Sequence, residues 1–204
     1  MTSTPSLPGL PADAAAAAAQ GLSIVIPIYN EAAGLQQLHE RLGALAAKLR
    51  QRFGLACEVV YVDDGSTDDT LSLARTLPAG ALDVQVVSLS RNFGKEAALM
   101  AGLDHARRGA LLFMDGDGQH SPDLVERLVD HWINGGYDVI YTAKARRTNE
   151  SLLRRIGVHS FYAIINWGAR QRIPEDAGDF RLLSPRAAAA LRQMPERNRF
   201  FKGL

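Results

Sequence analysis

The sequence predicts an α/β fold, a mostly parallel sheet with helices on both faces. Short apolar runs alternate with longer stretches of helical periodicity from residue 22 onward, which is the pattern of a covered parallel sheet. Four polar clusters stand at the ends of the first four apolar runs, the place where such sheets bind their ligands. The chain of 204 residues, 47% hydrophobic and 22% charged, suits one medium domain with a full core.

The elements follow in order. Residues 1–20, rich in Pro, Ser and Ala, read as a disordered lead-in, and one domain is expected over 21–204. "LSIVIPIY" (22–29) is a buried strand. Leu35, Leu38, Leu42, Leu45 and Leu49 recur at helical spacing within 34–53. "CEVVYVDD" (57–64) is a second strand. The helix expected over 66–77 opens with Ser66 as N-cap and acids in its first turn. "VQVVSLS" (84–90) is a third strand, 95–108 a helix, and "ALLFMD" (110–115) a fourth strand. Ser121-Pro122 starts a helix through about Ile133. "DVIYTA" (138–143) is a fifth strand, 150–168 a helix, "DFRLLS" (179–184) a sixth strand, and Pro185 opens a last helix.

Several function classes lose support from composition. The formal net charge is +1, and the aromatics are not interleaved with the basic residues as stacking platforms require, so no nucleic-acid partner is expected. The single cysteine, Cys57, forbids an intrachain disulfide and a cysteine-based zinc site; it reads as a small buried residue. No apolar run approaches the ~20 residues of a membrane helix, and the N-terminus has no signal-peptide pattern. Neither G-x-G-x-x-G after the first strand nor G-x-x-x-x-G-K-[ST] occurs, so bound phosphates would need a metal and basic side chains.

"LLFMDGDGQHSPDLV" (111–125) ends an apolar run in Asp115 and Asp117, one residue apart. Two carboxylates on a tight turn converge on one divalent cation, and hard oxygen ligands suit Mg2+ or Mn2+. The plainer reading is an acidic surface turn, but the apolar run holds the acids at the sheet edge. In "VDDGSTDDT" (62–70), a turn and a helix cap explain Gly65 and Ser66 but not Asp63, whose carboxylate at a strand end suits a base N–H or ribose hydroxyls. Asp179, after Gly178 and before an apolar strand, is either a base or a positioning carboxylate; a strand-entry turn is the plainer reading. His120 lies beside the acids. Basic residues gather late: Lys144, Arg146, Arg147, Arg154, Arg155, Arg170 and Arg172, then Arg181, Arg186, Arg192, Arg197, Arg199 and Lys202. A solvated face accounts for many of these; the asymmetry with the acidic first half suits an anionic partner, a phosphate or an anionic membrane surface.

Taken in series, "SIVIPIYNE", "VVYVDDGSTDDT", "SLSRNFGKEAALMAGLDHARRG", "FMDGDGQHSPDLV" and "DAGDFRLLS" resemble glycosyltransferase family 2 over about residues 22–204. The resemblance points to the branch that glycosylates polyprenyl phosphates, such as dolichol-phosphate mannosyltransferases and bactoprenol glucosyltransferases. It implies a GT-A fold and a UDP- or GDP-sugar donor, with UDP-glucose and GDP-mannose the favoured pair. Pro27, Tyr29 and Glu31 are then implied to line the nucleotide pocket, with Asp63 near the base. Asp115 and Asp117 match the family's D-x-D metal motif, extended by Gln119, although D-G-D-G-Q departs from the commoner D-A-D-x-Q. Asp179 matches a late aspartate near the acceptor, and Lys144 and Arg147 match basic residues that meet the lipid phosphate. Membrane helices beyond a segment like "NRFFKGL", and work at the cytoplasmic face of the membrane, are implied for the full-length protein, with this chain alone soluble or peripheral. A homo-oligomer stays open. The alternatives are a sugar or protein acceptor, a haloacid-dehalogenase-like phosphatase built on "LLFMDGDG", and a non-catalytic nucleotide-binding module.

Overall fold

A computed structural model of the chain describes residues 20–116, 121–143 and 177–194. Strands β1 (Leu22–Ile28), β2 (Cys57–Asp63), β3 (Leu82–Ser88), β4 (Ala110–Phe113), β5 (Val139–Ala143) and β6 (Ala177–Leu183) alternate with helices. The helices are α1 (Ala32–Phe53), α2 (Thr70–Thr76), α3 (Lys95–His105), α4 (Pro122–Ile133) and α5 (Pro185–Gln193). The helix expected over 150–168 lies outside the described residues.

The strands form one sheet in the order β3-β2-β1-β4-β6-β5. β1, β2, β3 and β4 are mutually parallel. β6 runs antiparallel to both β4 and β5, so it is the one reversed strand among those described. The chain leaves β1 toward β2 and β3, and then crosses back to β4 on the other side of β1. The boundary between β1 and β4 is therefore the topological switch point, where open α/β sheets form a crevice.

Both faces of the sheet are covered, which explains why β1 reads as continuously apolar. Ile24, Ile26 and Ile28 pack with Leu35, Leu42 and Leu49 of α1 and with Val125, Val129 and Trp132 of α4. Val25, Val60, Val62 and Phe113 point the other way, against Ala98, Leu99 and Leu103 of α3 and Leu191 of α5. The leucine spacing in the second apolar stretch thus records the buried stripe of α1. His39 of α1 is also buried. Its Nδ1 lies 3.2 Å from the Tyr61 hydroxyl and its Nε2 3.0 Å from the Pro78 carbonyl. A carbonyl only accepts, so Nε2 carries the proton and Nδ1 accepts from Tyr61.

Two helix starts follow the sequence closely. The Ser121 hydroxyl accepts from the Leu124 amide ahead of Pro122, and the Ser184 hydroxyl accepts from the Ala187 amide ahead of Pro185. The third does not. α2 begins at Thr70, not near Ser66. The Ser66 hydroxyl instead accepts from the Asn30 amide at 3.0 Å, and Asp68 takes the Thr70 amide. A long-range bond to the β1–α1 turn has replaced the local cap.

Candidate active site at the β1–β4 crevice

Pairing of β1 with β4 stops at Val25–Phe113, while pairing with β2 continues through Pro27–Val62 to Ile28–Asp63. Pro27 has no amide hydrogen to donate, so it belongs where a ladder has already ended. The two strands part there, and a crevice of about 330 Å³ opens between them. Pro27, Tyr29, Glu31, Asp64, Asn92, Lys95, Asp115 and Gly116 are among the residues that line it. A volume in this range suits a small-molecule site.

Three loops build the walls. In the first, Asn30 has φ +55, a left-handed conformation that asparagine tolerates. Its side-chain oxygen accepts from the Thr67 amide at 2.8 Å, and the next amide, Glu31, donates to the Thr70 hydroxyl at 2.8 Å. The second loop, 64–69, is thereby laced to the first, leaving the Glu31 side chain at the crevice. The third loop is held by Asp64, whose carboxylate accepts from the Phe93 amide at 2.8 Å and the Gly94 amide at 2.9 Å. The Arg91 guanidinium stacks 4.6 Å over the exposed Phe93 ring.

Gly65 sits where the second and third loops cross. A Cβ there would lie 2.5 Å from the Arg91 carbonyl carbon and 2.6 Å from the Asn92 nitrogen, at φ +71. Backbone cannot yield as a flexible side chain does. Gly65→Ala is expected to cost about 2 kcal/mol or more, read as a lower urea midpoint, and to release the Phe93 and Gly94 amides to faster hydrogen exchange.

The structure places the sequence-predicted residues unevenly. Pro27, Tyr29, Glu31 and Asp115 meet at the crevice. Asp63 is buried at 1% exposure, and its carboxylate accepts from the Ser66 amide at 3.3 Å; Asp64, one residue on, lines the crevice instead. The phase of β2 explains this. Val60 and Val62 face α3, so Asp63 turns toward α2 and Asp64 toward the start of α3. Asp117, Gln119, His120, Lys144 and Arg147 lie outside the described residues. Asp179 lies within β6. Register sets Phe113 opposite Arg181, so Asp179, two residues before Arg181, falls at the same rim as Asp115, two residues beyond Phe113. Only because β6 is reversed does its beginning reach that rim.

The late basic residues have mixed fates. Arg186 forms an ion pair with Asp138; its hydrogen bond, with one from Ser184, holds that carboxyl below the usual range. Arg192 donates to the Leu103 and Ala106 carbonyls at 3.2 and 3.1 Å, closing the C-terminal end of α3. Arg181 is buried in β6. Arg181 is thus enclosed and Arg192 spent on helix carbonyls, while Arg186 stays exposed with its charge paired to Asp138; Arg146, Arg154, Arg155, Arg170, Arg172, Arg197, Arg199 and Lys202 lie outside the described residues.

Sequence reasoning missed Lys95 as a site residue. It opens α3 and forms an ion pair with Asp115 in the crevice. The available signal was a lysine in a first helical turn, where the helix dipole disfavours a cation. The site fits a divalent cation by the chemistry of its donors. Asp115 is a partly exposed carboxylate already facing one positive charge, and hard oxygen ligands of that kind suit Mg2+ or Mn2+. Among the described residues no three metal-ligating side chains cluster.

A parallel sheet with one reversed strand and an acidic crevice at its switch point defines the GT-A class of fold. The chain belongs to glycosyl transferase family 2, whose model matches residues 23–191. It is 40% identical over 183 residues, 90% of this chain and 56% of the relative, to the uncharacterized glycosyltransferase sll0501 of Synechocystis sp.. It is 33% identical over 183 residues, 90% of this chain and 58% of the relative, to a prophage bactoprenol glucosyl transferase homolog of Escherichia coli K12. The chain thus spans little more than half the length of these curated relatives. Among solved structures it is similar to the mannosyltransferase PcManGT from Pyrobaculum calidifontis in complex with GDP-Man and Mn2+. That match has a TM-score of 0.57 and 20% identity, and it covers 83% of this chain and 46% of the other. No described helix is long and apolar enough to cross a membrane.

Proposed function

We propose that this chain is the catalytic domain of an enzyme that moves a sugar from a UDP- or GDP-sugar to a polyprenyl phosphate, with inversion at the sugar carbon. The observation that carries the reading is the acidic crevice at the β1–β4 switch point, with Asp115 at its rim. The name of the bactoprenol glucosyl transferase relative supports the lipid acceptor. The GDP-Man and Mn2+ complex of the mannosyltransferase, a likeness of fold alone, is consistent with the donor class.

Each residue has a part in this scheme. Pro27, Tyr29 and Glu31 wall the nucleotide pocket. Asp63 shapes the adjoining turn through the Ser66 amide. Asp115 and Asp117, extended by Gln119, hold Mg2+ or Mn2+, which supplies positive charge where the diphosphate leaves. Lys144 and Arg147 meet the acceptor phosphate, at the cytoplasmic surface of a membrane. That phosphate monoester has a second pKa near ~6 and is largely deprotonated at neutral pH. It attacks the sugar carbon from the face opposite the leaving group with little need of a base.

Asp179 therefore positions the reacting groups at the rim. Asp179→Asn is expected to keep the rate within about tenfold of the parent. Near-total loss of turnover with unchanged donor binding would assign it the base role instead. The reading as a whole is tested by calorimetric titration with UDP-glucose and GDP-mannose, with and without Mn2+. Metal-dependent binding of one of them is expected; binding of neither overturns it.

A further inference from the structure

Lys95 is the one basic side chain among the described residues that line the crevice, beside the acids Glu31, Asp64 and Asp115. Its place is unfavourable by local physics. It is the first residue of α3, where the amides of the first turn present positive charge. Its backbone is nonetheless held firmly, because Asp64 accepts from the two amides just before it, Phe93 and Gly94. From that fixed stem the ammonium reaches across the crevice to Asp115 on the other wall. Both side chains stay about one-third exposed, 39% for Lys95 and 34% for Asp115. A pair of that exposure exchanges partners at small cost.

We propose that Lys95 is a resident counter-cation: it neutralises Asp115 in the donor-free protein, yields that carboxylate to a divalent cation, and then bonds the donor's diphosphate. This rests on the nucleotide-sugar reading above. An ammonium and a divalent cation repel one another and compete for the same carboxylate oxygens, so the metal displaces the ammonium. The diphosphate that arrives with the metal offers the displaced ammonium new anionic oxygens a short swing away. A lysine suits the task because it is a point charge with three donors on a flexible stem. Metal binding without donor is weakened by the competition, and metal binding with donor is not. The device therefore couples the two ligands.

The test is calorimetric titration of Mn2+ alone, and of UDP and GDP in the presence of Mn2+, into the parent, Lys95→Met and Lys95→Arg. Lys95→Met is expected to bind Mn2+ about two- to fivefold more tightly, the size of a partly exposed ion pair that need no longer be broken. It is expected to bind the diphosphate about tenfold more weakly, having lost a charge-assisted hydrogen bond. Lys95→Arg, which keeps the charge, should return both affinities toward the parent. A lysine that only braced the loop would weaken both ligands together in Lys95→Met, and that result overturns the proposal. Unchanged Mn2+ affinity in Lys95→Met overturns it as well, and leaves the donor reading standing. Absence of UDP and GDP binding by the parent sinks the donor reading, and with it the second half of this proposal.

Discussion

Asp115→Asn is expected to lower metal-supported sugar transfer by about a thousandfold while leaving the fold intact. The magnitude follows from the role. A carboxylate that holds the cation against a leaving diphosphate stabilises charge that develops as the bond breaks, which is worth several kcal/mol, and each ~1.4 kcal/mol is a factor of ten in rate. Asparagine keeps the shape and loses the charge. The structural cost is small, because the ion pair lost with Lys95 is partly exposed and such pairs contribute about 1 kcal/mol at most. Single-turnover transfer, Mn2+ titration and a thermal melt on the same sample separate the two effects. A variant that keeps its rate within tenfold at saturating Mn2+ would remove Asp115 from the metal site.

The second large effect is at the opposite end of the sheet and concerns stability alone. Glu58, buried at 2% exposure, accepts at one oxygen from the Ser23 hydroxyl at 2.6 Å, the Arg107 amide at 2.6 Å and the Arg108 amide at 3.1 Å. It thus joins β2, β1 and the connection from α3 to β4. Glu58→Ala leaves those donors in a buried site, and each unsatisfied group costs about 1–3 kcal/mol. Ser23 recovers part of this, since its hydroxyl also accepts from the Arg108 amide at 3.0 Å. A net loss of about 3–5 kcal/mol is expected, seen as a lower urea midpoint. Glu58→Gln keeps an acceptor oxygen and should lose less than half as much. Mn2+ affinity below the unfolding range should stay within about twofold of the parent, because the crevice lies at the other ends of these strands. An alanine variant as stable as the parent would show that water satisfies these groups instead.

Much of the architecture was legible because burial leaves a local record. The leucines of α1, the Ser-Pro starts of α4 and α5, and the apolar runs of β1 to β4 all state which face is covered. The mostly parallel sheet follows from their alternation, and the GT-A fold was what the family resemblance implied. Element ends were less legible: α3 stops at His105 where the periodicity allowed 108, and β4 at Phe113 where the run allowed Asp115. The helix ends where tertiary bonds claim its backbone, and the strand ends where it loses its partner. The Arg107 and Arg108 amides go to Glu58, and pairing of β4 with β1 ceases as the crevice opens.

The sequence by itself determined the α/β class and the strand-end positions of Tyr29, Glu31 and Asp115, while Pro27, Tyr29 and Glu31 as pocket residues came from the resemblance to the family. Strand ends depend on period and adjacency, which are properties of the chain. Only the tertiary structure decided that Asp64 and not Asp63 faces the crevice, that Ser66 serves the Asn30 turn and not a helix cap, and that Lys95 pairs with Asp115. It also decided that a reversed β6 brings Asp179 to the rim of Asp115. Each of these is a choice among distant partners, made by strand order and by a one-residue phase. Hydrogen bonds and charges act over a few ångströms of space, whatever the separation along the chain, so no local pattern records which partner wins.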